Sequence, residues 1–109
     1  MSAANAPAVI SAENIELVGY HDLEKRPAFK IAMQEAGGRF YLYLSTFWQS
    51  GWAVLDVTDP AAPELKAWLP GPDNTWTLQV QAADGLLITS LEKIPPGLGP
   101  RPYDPPDAD

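Results

Sequence analysis

The fold is decided by residues 29–45, which read FKIAMQEAGGRFYLYLS. Apolar residues alternate with polar or small ones on both sides of the Gly37-Gly38 pair. This period of two is typical of strands that bury one face. In the second run, Phe40 and the leucines fall on one face and the two tyrosines on the other. Because consecutive glycines readily adopt the positive φ angles of a tight turn, the stretch predicts a β-hairpin.

Similar short runs continue on both sides of this hairpin, and turn residues such as Asp59-Pro60 and Asp84-Gly85 separate them. A single helical turn is possible at His21–Arg26, where Pro27 stops it. The predicted fold class is therefore all-β, built from antiparallel four-stranded meanders. The predicted strands are Ile15–Tyr20, Phe29–Gln34, Phe40–Ser45, Trp52–Val57, Leu65–Leu69, Trp76–Gln81 and Leu86–Leu91.

An internal repeat relates residues that lie 47 positions apart. A period of roughly 40–50 residues with four short strands is typical of a β-propeller blade. We therefore predict a partial β-propeller, with a complete blade at about 28–69 and a half blade at about 75–91. Residues 15–20 are predicted to be the outer strand of a neighbouring blade. The matched pairs are Phe29 and Trp76, Ile31 and Leu78, Met33 and Val80, Gln34 and Gln81, Gly38 and Gly85, and Phe40 and Leu87.

Residues 51–65 read GWAVLDVTDPAAPEL. They resemble the LVIVD repeat, whose pattern is roughly G-L-x-I-x-D-[VI]-[ST]-[DN]-P-x-x-P-x-L and which builds β-propellers. Trp52 stands where the pattern has Leu, and the second half blade ends before it reaches its own D-[VI]-[ST]-[DN]-P segment. The resemblance implies a propeller fold and little about activity, because members of this family mostly lack an assigned reaction. Since fewer than two blades are present, we predict that the chain is an N-terminal fragment of a longer LVIVD-like β-propeller.

The same segment has a physical interpretation of its own. Asp59-Pro60 can begin a turn in which the Asp side chain accepts hydrogen bonds from nearby backbone N–H groups. Pro63 presets φ for the entry into an outer strand, where a missing backbone donor is tolerated. Asp56, Asp59, Pro60 and Pro63 are therefore predicted to be structural turn residues.

Composition divides the chain into three zones. Residues 1–13 are Ala-rich and predicted to be a flexible N-terminal arm, and residues 14–93 carry the propeller-like blades. Residues 94–109 contain six prolines and are predicted to be a Pro-rich acidic tail or linker.

Fewer than two blades are present, whereas a closed propeller needs at least about four. Either the chain belongs to a longer protein or, if it is complete, copies of it form a homo-oligomeric ring. A small β-sandwich-like domain is a third possibility.

Charge and composition exclude several classes of function. The net charge of −7 disfavours nucleic acid as a partner. No apolar run approaches the roughly 18–20 residues of a membrane-spanning helix, and no signal peptide is visible, so a cytoplasmic location is the default. Because the chain has no Cys, thiolate chemistry, disulfides and Cys-based metal sites are excluded, and we expect no cofactor.

The residues that could carry catalysis are few. His21 is the only histidine, and we interpret it as a solvated turn residue. Ser45, Ser50 and Ser90 lie in no G-x-S-x-G motif. We therefore predict neither catalytic nor metal-binding residues.

Aromatic residues are the best candidates for binding. Trp48 and Gln49, in a turn, are predicted to contact a protein or carbohydrate ligand. Trp52, Trp68 and Trp76 are expected to pack in the core. The predicted function is a non-enzymatic binding or interaction module. The alternative is part of a propeller enzyme, a hydrolase or oxidase, whose catalytic residues lie outside this chain and to which residues such as Gln34 and Gln81 contribute only a polar wall.

Overall fold

Two antiparallel sheets form the computed structural model, which describes residues 8, 11–48, 50–95 and 97. Sheet I is a meander of four strands in the order β1-β2-β3-β4, and sheet II is the hairpin β5-β6. The prediction of an all-β antiparallel fold is confirmed, and each strand from residue 30 onward lies where it was predicted, within two residues at either end. The strands are β1 (Lys30–Ala36), β2 (Arg39–Ser45), β3 (Gly51–Asp56), β4 (Glu64–Pro70), β5 (Thr75–Ala83) and β6 (Leu86–Lys93).

The two hairpins β1–β2 and β5–β6 have the same register at the 47-residue offset over the four residue pairs nearest their turns, beyond which a bulge between Thr77 and Val80 shifts the pairing of β5–β6. Met33 pairs with Leu42 in the first, and Val80 pairs with Thr89 in the second. Their turns also match, because Gly37-Gly38 and Asp84-Gly85 all have positive φ angles. Such φ angles at both central residues are what a two-residue turn needs to follow the twist of its strands. The repeat is thus visible in the backbone as well as in the sequence.

Sheet I has two distinct faces, because residues paired directly across strands lie on the same side. The front face contains Ile31, Met33, Phe40 and Leu42. It continues into a small core in which Leu23, from outside the sheet, packs with Leu44, Ala53 and Leu55. The back face contains Gln34, Tyr41, Tyr43, Ser45 and Trp52.

Sheet II packs against the back face of sheet I. The Trp52 indole Nε1–H donates to Thr89 Oγ1 over 2.9 Å, and the Gly85 N–H donates to Gln34 Oε1 over 3.1 Å. Val80 is 5% exposed on the face of sheet II that makes this contact. We call that face, with Val80, Leu87 and Thr89, the inner face of sheet II. Gln81, Leu86 and Ile88 lie on its outer face.

Buried hydroxyl groups join the two sheets at the end where β2 leads into β3. Thr77 Oγ1 donates to the Gly51 carbonyl over 2.7 Å, and Ser45 Oγ donates to the Leu78 carbonyl. Thr46 Oγ1 also donates to the Gly51 carbonyl, over 3.0 Å. These three hydroxyl side chains are fully buried, and each has a partner, as burial of a polar group requires.

Strand β5 lies closest to β1, less close to β2 and least close to β3. The sheets therefore converge on the side of their first strands, and neither sheet closes on itself. This arrangement is consistent with a four-stranded propeller-like blade followed by the first two strands of a second blade.

One predicted strand is wrong. Residues 15–20 form no strand, because no described strand lies beside them to share backbone hydrogen bonds. The predicted single helical turn corresponds to a short 3-10 turn at Leu23–Lys25, but all three residues have positive φ angles, so it is not a turn of right-handed helix. Most of the predicted arm (1–13) and almost all of the predicted tail (94–109) lie outside the described residues.

Candidate functional site

A cavity of about 570 Å³ opens on the front face of sheet I. Its walls are three parts of the chain that lie far apart in sequence. The segment Val18–His21 forms one wall, the strands contribute apolar side chains, and the turn between β3 and β4 forms the third. The strand and turn residues are Met33, Phe40, Leu42, Leu55, Val57, Thr58, Pro60 and Pro63.

The wall at 18–21 is held by close backbone contact and by a hydrogen bond. Gly19 lies so close to the Pro60 carbonyl that a Cβ on residue 19 would collide with it. The Leu23 N–H donates to His21 Nδ1 over 2.9 Å, which places the imidazole at the start of the 3-10 turn. Because Nδ1 accepts, the neutral ring carries its proton on Nε2. His21 is thus a turn residue, as predicted, but its side chain is half-buried and hydrogen-bonded rather than solvated.

Asp56, which is 3% exposed, positions the part of the cavity wall that contains Thr58 and Phe40. Its carboxylate accepts from Arg39 Nε over 2.6 Å, from the Thr58 N–H over 2.9 Å and from Thr58 Oγ1 over 2.6 Å. These bonds, from Arg39 first and then from Thr58, hold the pKa of Asp56 well below its usual range. Thr58 Oγ1 also accepts from the Phe40 N–H over 3.0 Å. The Asp56 carboxylate therefore acts through Thr58 to fix the backbone of Phe40, a residue that borders the cavity.

The turn after β3 has internal hydrogen bonds. Asp59 Oδ1 accepts from the Ala61 N–H over 3.1 Å, and the Asp59 carbonyl accepts from the Ala62 N–H over 3.0 Å. An Asp side chain commonly stabilises a turn in this way. Pro60 and Pro63, predicted only as turn residues, also line the cavity. Sequence reasoning missed this second role because the other walls come from distant parts of the chain.

The predicted contact residue Trp48 lies in an aromatic cluster at the other end of the molecule. Its ring meets Phe47 edge-on at 4.8 Å and Trp76 edge-on at 5.3 Å, and Phe47 stacks on Trp76 at 5.0 Å. Trp48 is half-buried as a result. Gln49 lies outside the described residues, so the predicted pairing of Trp48 with Gln49 stays a prediction.

The other three tryptophans are also half-buried. Trp68 packs against the core of the front face, and the Arg26 guanidinium lies 4.3 Å above its ring, within the range of a cation–π contact. Trp52 joins the sheets through its bond to Thr89. The indole N–H of Trp76 is buried, and no acceptor among the described residues meets it.

In the part of the chain that the structure describes, no three His, Asp or Glu side chains come together as a metal site. No helix within the same ranges is long and apolar enough to cross a membrane. Ser45 and Ser50 hold structural hydrogen bonds, to Leu78 and to Pro72 and Thr75 respectively.

In comparisons with known proteins, no family model, no curated protein and no solved structure matches this chain.

Proposed function

We propose that this chain is a non-enzymatic interaction module, part of an LVIVD-like β-propeller, that binds an apolar partner surface through the front face of sheet I. The observation that carries the proposal is the exposure of large apolar side chains around the front cavity. Met33 is 57% exposed and Phe40 is 41% exposed, although both belong to regular strands of the sheet. An apolar patch of this kind on an acidic protein is typical of a binding surface.

The shape of the cavity supports the same proposal. A volume of about 570 Å³ is within the range of roughly 300–1,000 Å³ that is usual for binding pockets. Its walls are mostly hydrocarbon, and His21, Tyr20 and Thr58 add a few polar groups at the edge. A site of this composition favours an apolar group and has no set of acids, bases or nucleophiles arranged for a reaction.

A neutral fluorescent dye that brightens in apolar surroundings, such as Nile red, tests the proposal directly. The wild-type chain, Met33→Lys and Ile15→Lys are compared in dilute solution. Met33→Lys is expected to abolish most of the dye fluorescence, because a lysine removes apolar surface from the cavity. Ile15→Lys is the matched control: Ile15 is also an exposed apolar residue but is not part of the cavity lining, so fluorescence is expected to remain.

Near-ultraviolet circular dichroism and a cooperative thermal transition establish that each variant is folded, since dyes also bind loosely packed states. Equal dye fluorescence in wild type and Met33→Lys would contradict the proposal, because the front cavity would then not be the apolar binding surface.

The predicted contact at Trp48 and Gln49 is a separate part of the proposal. If Trp48 binds a partner, Trp48→Ala is expected to weaken binding of that partner and to leave the chain folded. A large loss of thermal stability would instead assign Trp48 to the packing of the aromatic cluster.

A further inference from the structure

The packing of sheet II on sheet I indicates what kind of surface could cover the front face of sheet I. The inner face of sheet II carries Val80, Leu87 and Thr89. At the 47-residue offset these are the counterparts of Met33, Phe40 and Leu42, the residues of the front face. Because the two hairpins share one register from Met33 and Val80 to their turns, the correspondence of these residues holds in space as well as in sequence. The inner face of sheet II is therefore a second version of the front face, and it is already bound to a partner.

That partner is the back face of sheet I, and it too has a counterpart. Gln34 and Tyr41 of the back face correspond to Gln81 and Ile88, which lie on the outer face of sheet II. Ile88 is 66% exposed, as is Leu86 on the same face. The molecule thus carries one occupied interface and, on two exposed faces, the counterparts of those interface residues that lie nearest the hairpin turns.

We propose that copies of this chain associate head to tail, with the front face of one copy packed on the outer face of sheet II of the next. The inference rests on the proposed function in one respect, since it assigns an occupant to the same front face. The occupant is a second copy because the outer face of sheet II is exposed and carries Gln81 and Ile88, the counterparts of Gln34 and Tyr41 on the back face. Continuity with the interface already present inside the chain sets the mode of packing.

One hydrogen bond between the two sheets has counterpart residues on the two faces of the proposed contact. Inside the chain, the Gly85 N–H donates to Gln34 Oε1. The counterparts of these residues are Gly38 and Gln81, and in the proposed complex the Gly38 N–H of one copy donates to Gln81 Oε1 of the other. Gln81 is exposed in the single chain, so its side chain is accessible to a second copy.

The proposed contact joins two different surfaces and is therefore heterologous. Blocking the front face leaves a chain that can still offer its outer face, and blocking the outer face leaves one that can still offer its front face. Such contacts continue from copy to copy until a ring closes, or they form a filament if the rotation does not close.

The test uses Met33→Lys to block the front face and Ile88→Lys to block the outer face. Light scattering on a sizing column measures the mass of each variant alone, of the two variants mixed and of the wild type over a range of concentrations. We expect the wild type to form oligomers, each variant alone to be a monomer, and the mixture to form a 1:1 dimer of twice the chain mass. Ile15→Lys is the matched control and is expected to associate like the wild type.

Two results would overturn the proposal. A wild type that stays monomeric at every concentration shows that the two faces do not associate. If Ile88→Lys alone forms dimers, the contact is between two front faces and is not head to tail.

A milder variant keeps the test valid if a lysine disturbs folding. Gln81→Ala removes only the proposed polar contact and is expected to weaken association about fivefold, the factor that one ordinary hydrogen bond supplies. Unchanged association in Gln81→Ala would contradict the assigned geometry.

The dye experiment separates this inference from the proposed function. Dye binding that depends on Met33, together with a monomeric wild type, overturns the head-to-tail contact and leaves the interaction module in place. Dye binding that does not depend on Met33 overturns the module itself.

Discussion

The hairpins β1–β2 and β5–β6 have the same kind of turn and the same register beside it, yet corresponding residues are buried to very different extents. Val80 is 5% exposed, whereas its counterpart Met33 is 57% exposed. The difference does not come from the hairpins themselves, because the back face of sheet I covers Val80 and no described residue covers Met33 to the same extent. Burial at these two positions is therefore decided by whether a sheet lies against the face.

The largest expected effect is the difference between Val80 and Met33 in the stability that is lost when each is replaced by alanine. Val80→Ala removes buried methyl groups from the interface of the two sheets and is expected to lower the free energy of unfolding by about 2 kcal/mol. Met33→Ala removes mostly exposed surface and is expected to cost about 0.5 kcal/mol or less. Urea denaturation measured on dilute samples checks both values. Equal losses would contradict the burial difference on which the comparison rests.

The two turns are expected to respond alike. Gly38 and Gly85 have φ angles of 81° and 75°, and a Cβ on either residue would meet no atom within 4 Å. Alanine is strained at such angles, so Gly38→Ala and Gly85→Ala are each expected to cost about 1 kcal/mol. The same urea measurement checks the pair. A difference well above 0.5 kcal/mol would show that the two hairpins are less alike than their registers indicate.

The bond from Trp52 to Thr89 tests the occupied interface. Trp52→Phe and Thr89→Val each remove one partner of this hydrogen bond, and the double variant removes both. A double-mutant cycle is expected to give a coupling energy of about 1 kcal/mol. The counterpart of Thr89 is Leu42, which cannot accept a hydrogen bond, so Leu42→Val combined with Trp52→Phe is the control and is expected to give no coupling. If the stability losses of Trp52→Phe and Thr89→Val are simply additive, this hydrogen bond does not hold the sheets together.

The smallest expected effect concerns acid stability and belongs to the first hairpin alone. Arg39 lowers the pKa of Asp56, whereas the counterpart of Arg39 in the second hairpin is Leu86, which has no charge. Because the pKa is lowered on folding, this stabilisation is present above the ordinary Asp pKa of about 3.9 and is lost as the pH falls towards the folded value. The stability difference between wild type and Asp56→Asn is therefore expected to shrink between about pH 5 and pH 2.

Arg39→Gln is the control for the acid experiment. It removes the largest cause of the pKa shift and is expected to remove part of the pH dependence. The effect is modest because Arg39 is largely exposed, and water screens its charge. Thermal unfolding at a series of pH values measures this pH dependence. A stability difference between wild type and Asp56→Asn that does not change with pH would contradict the lowered pKa of Asp56.

Much of the fold could be predicted from the sequence because its signals are local. Alternation of apolar residues, the turns at Gly37-Gly38 and Asp84-Gly85, and the Asp59-Pro60 break each act over a few residues, and the strands from β1 to β6 follow from them. The same local logic failed at residues 15–20. Their alternating pattern favours a strand, but a strand also needs a partner with free backbone groups, which is a property of the rest of the chain.

The cavity could not be predicted for the same reason. It depends on the close approach of Gly19 to Pro60 and on the bond from Leu23 to His21, and neither contact leaves a pattern in the sequence. The packing of Trp48 on Trp76 was also missed, because the two residues are 28 positions apart and belong to different sheets. The repeat did signal which faces correspond, but only the structure shows that one copy of that face is covered and the other is not.

Oxidation of Met33 by dilute peroxide tests the central claim most directly. The chain has two methionines, so Met1 gives an internal reference for peroxide exposure in the same sample. If the front face accepts the outer face of another copy, the rate of sulfoxide formation at Met33, measured by peptide mass spectrometry, falls several-fold as the protein concentration rises, while the rate at Met1 stays constant. A Met33 rate that is independent of protein concentration would contradict the claim that a second copy covers this face.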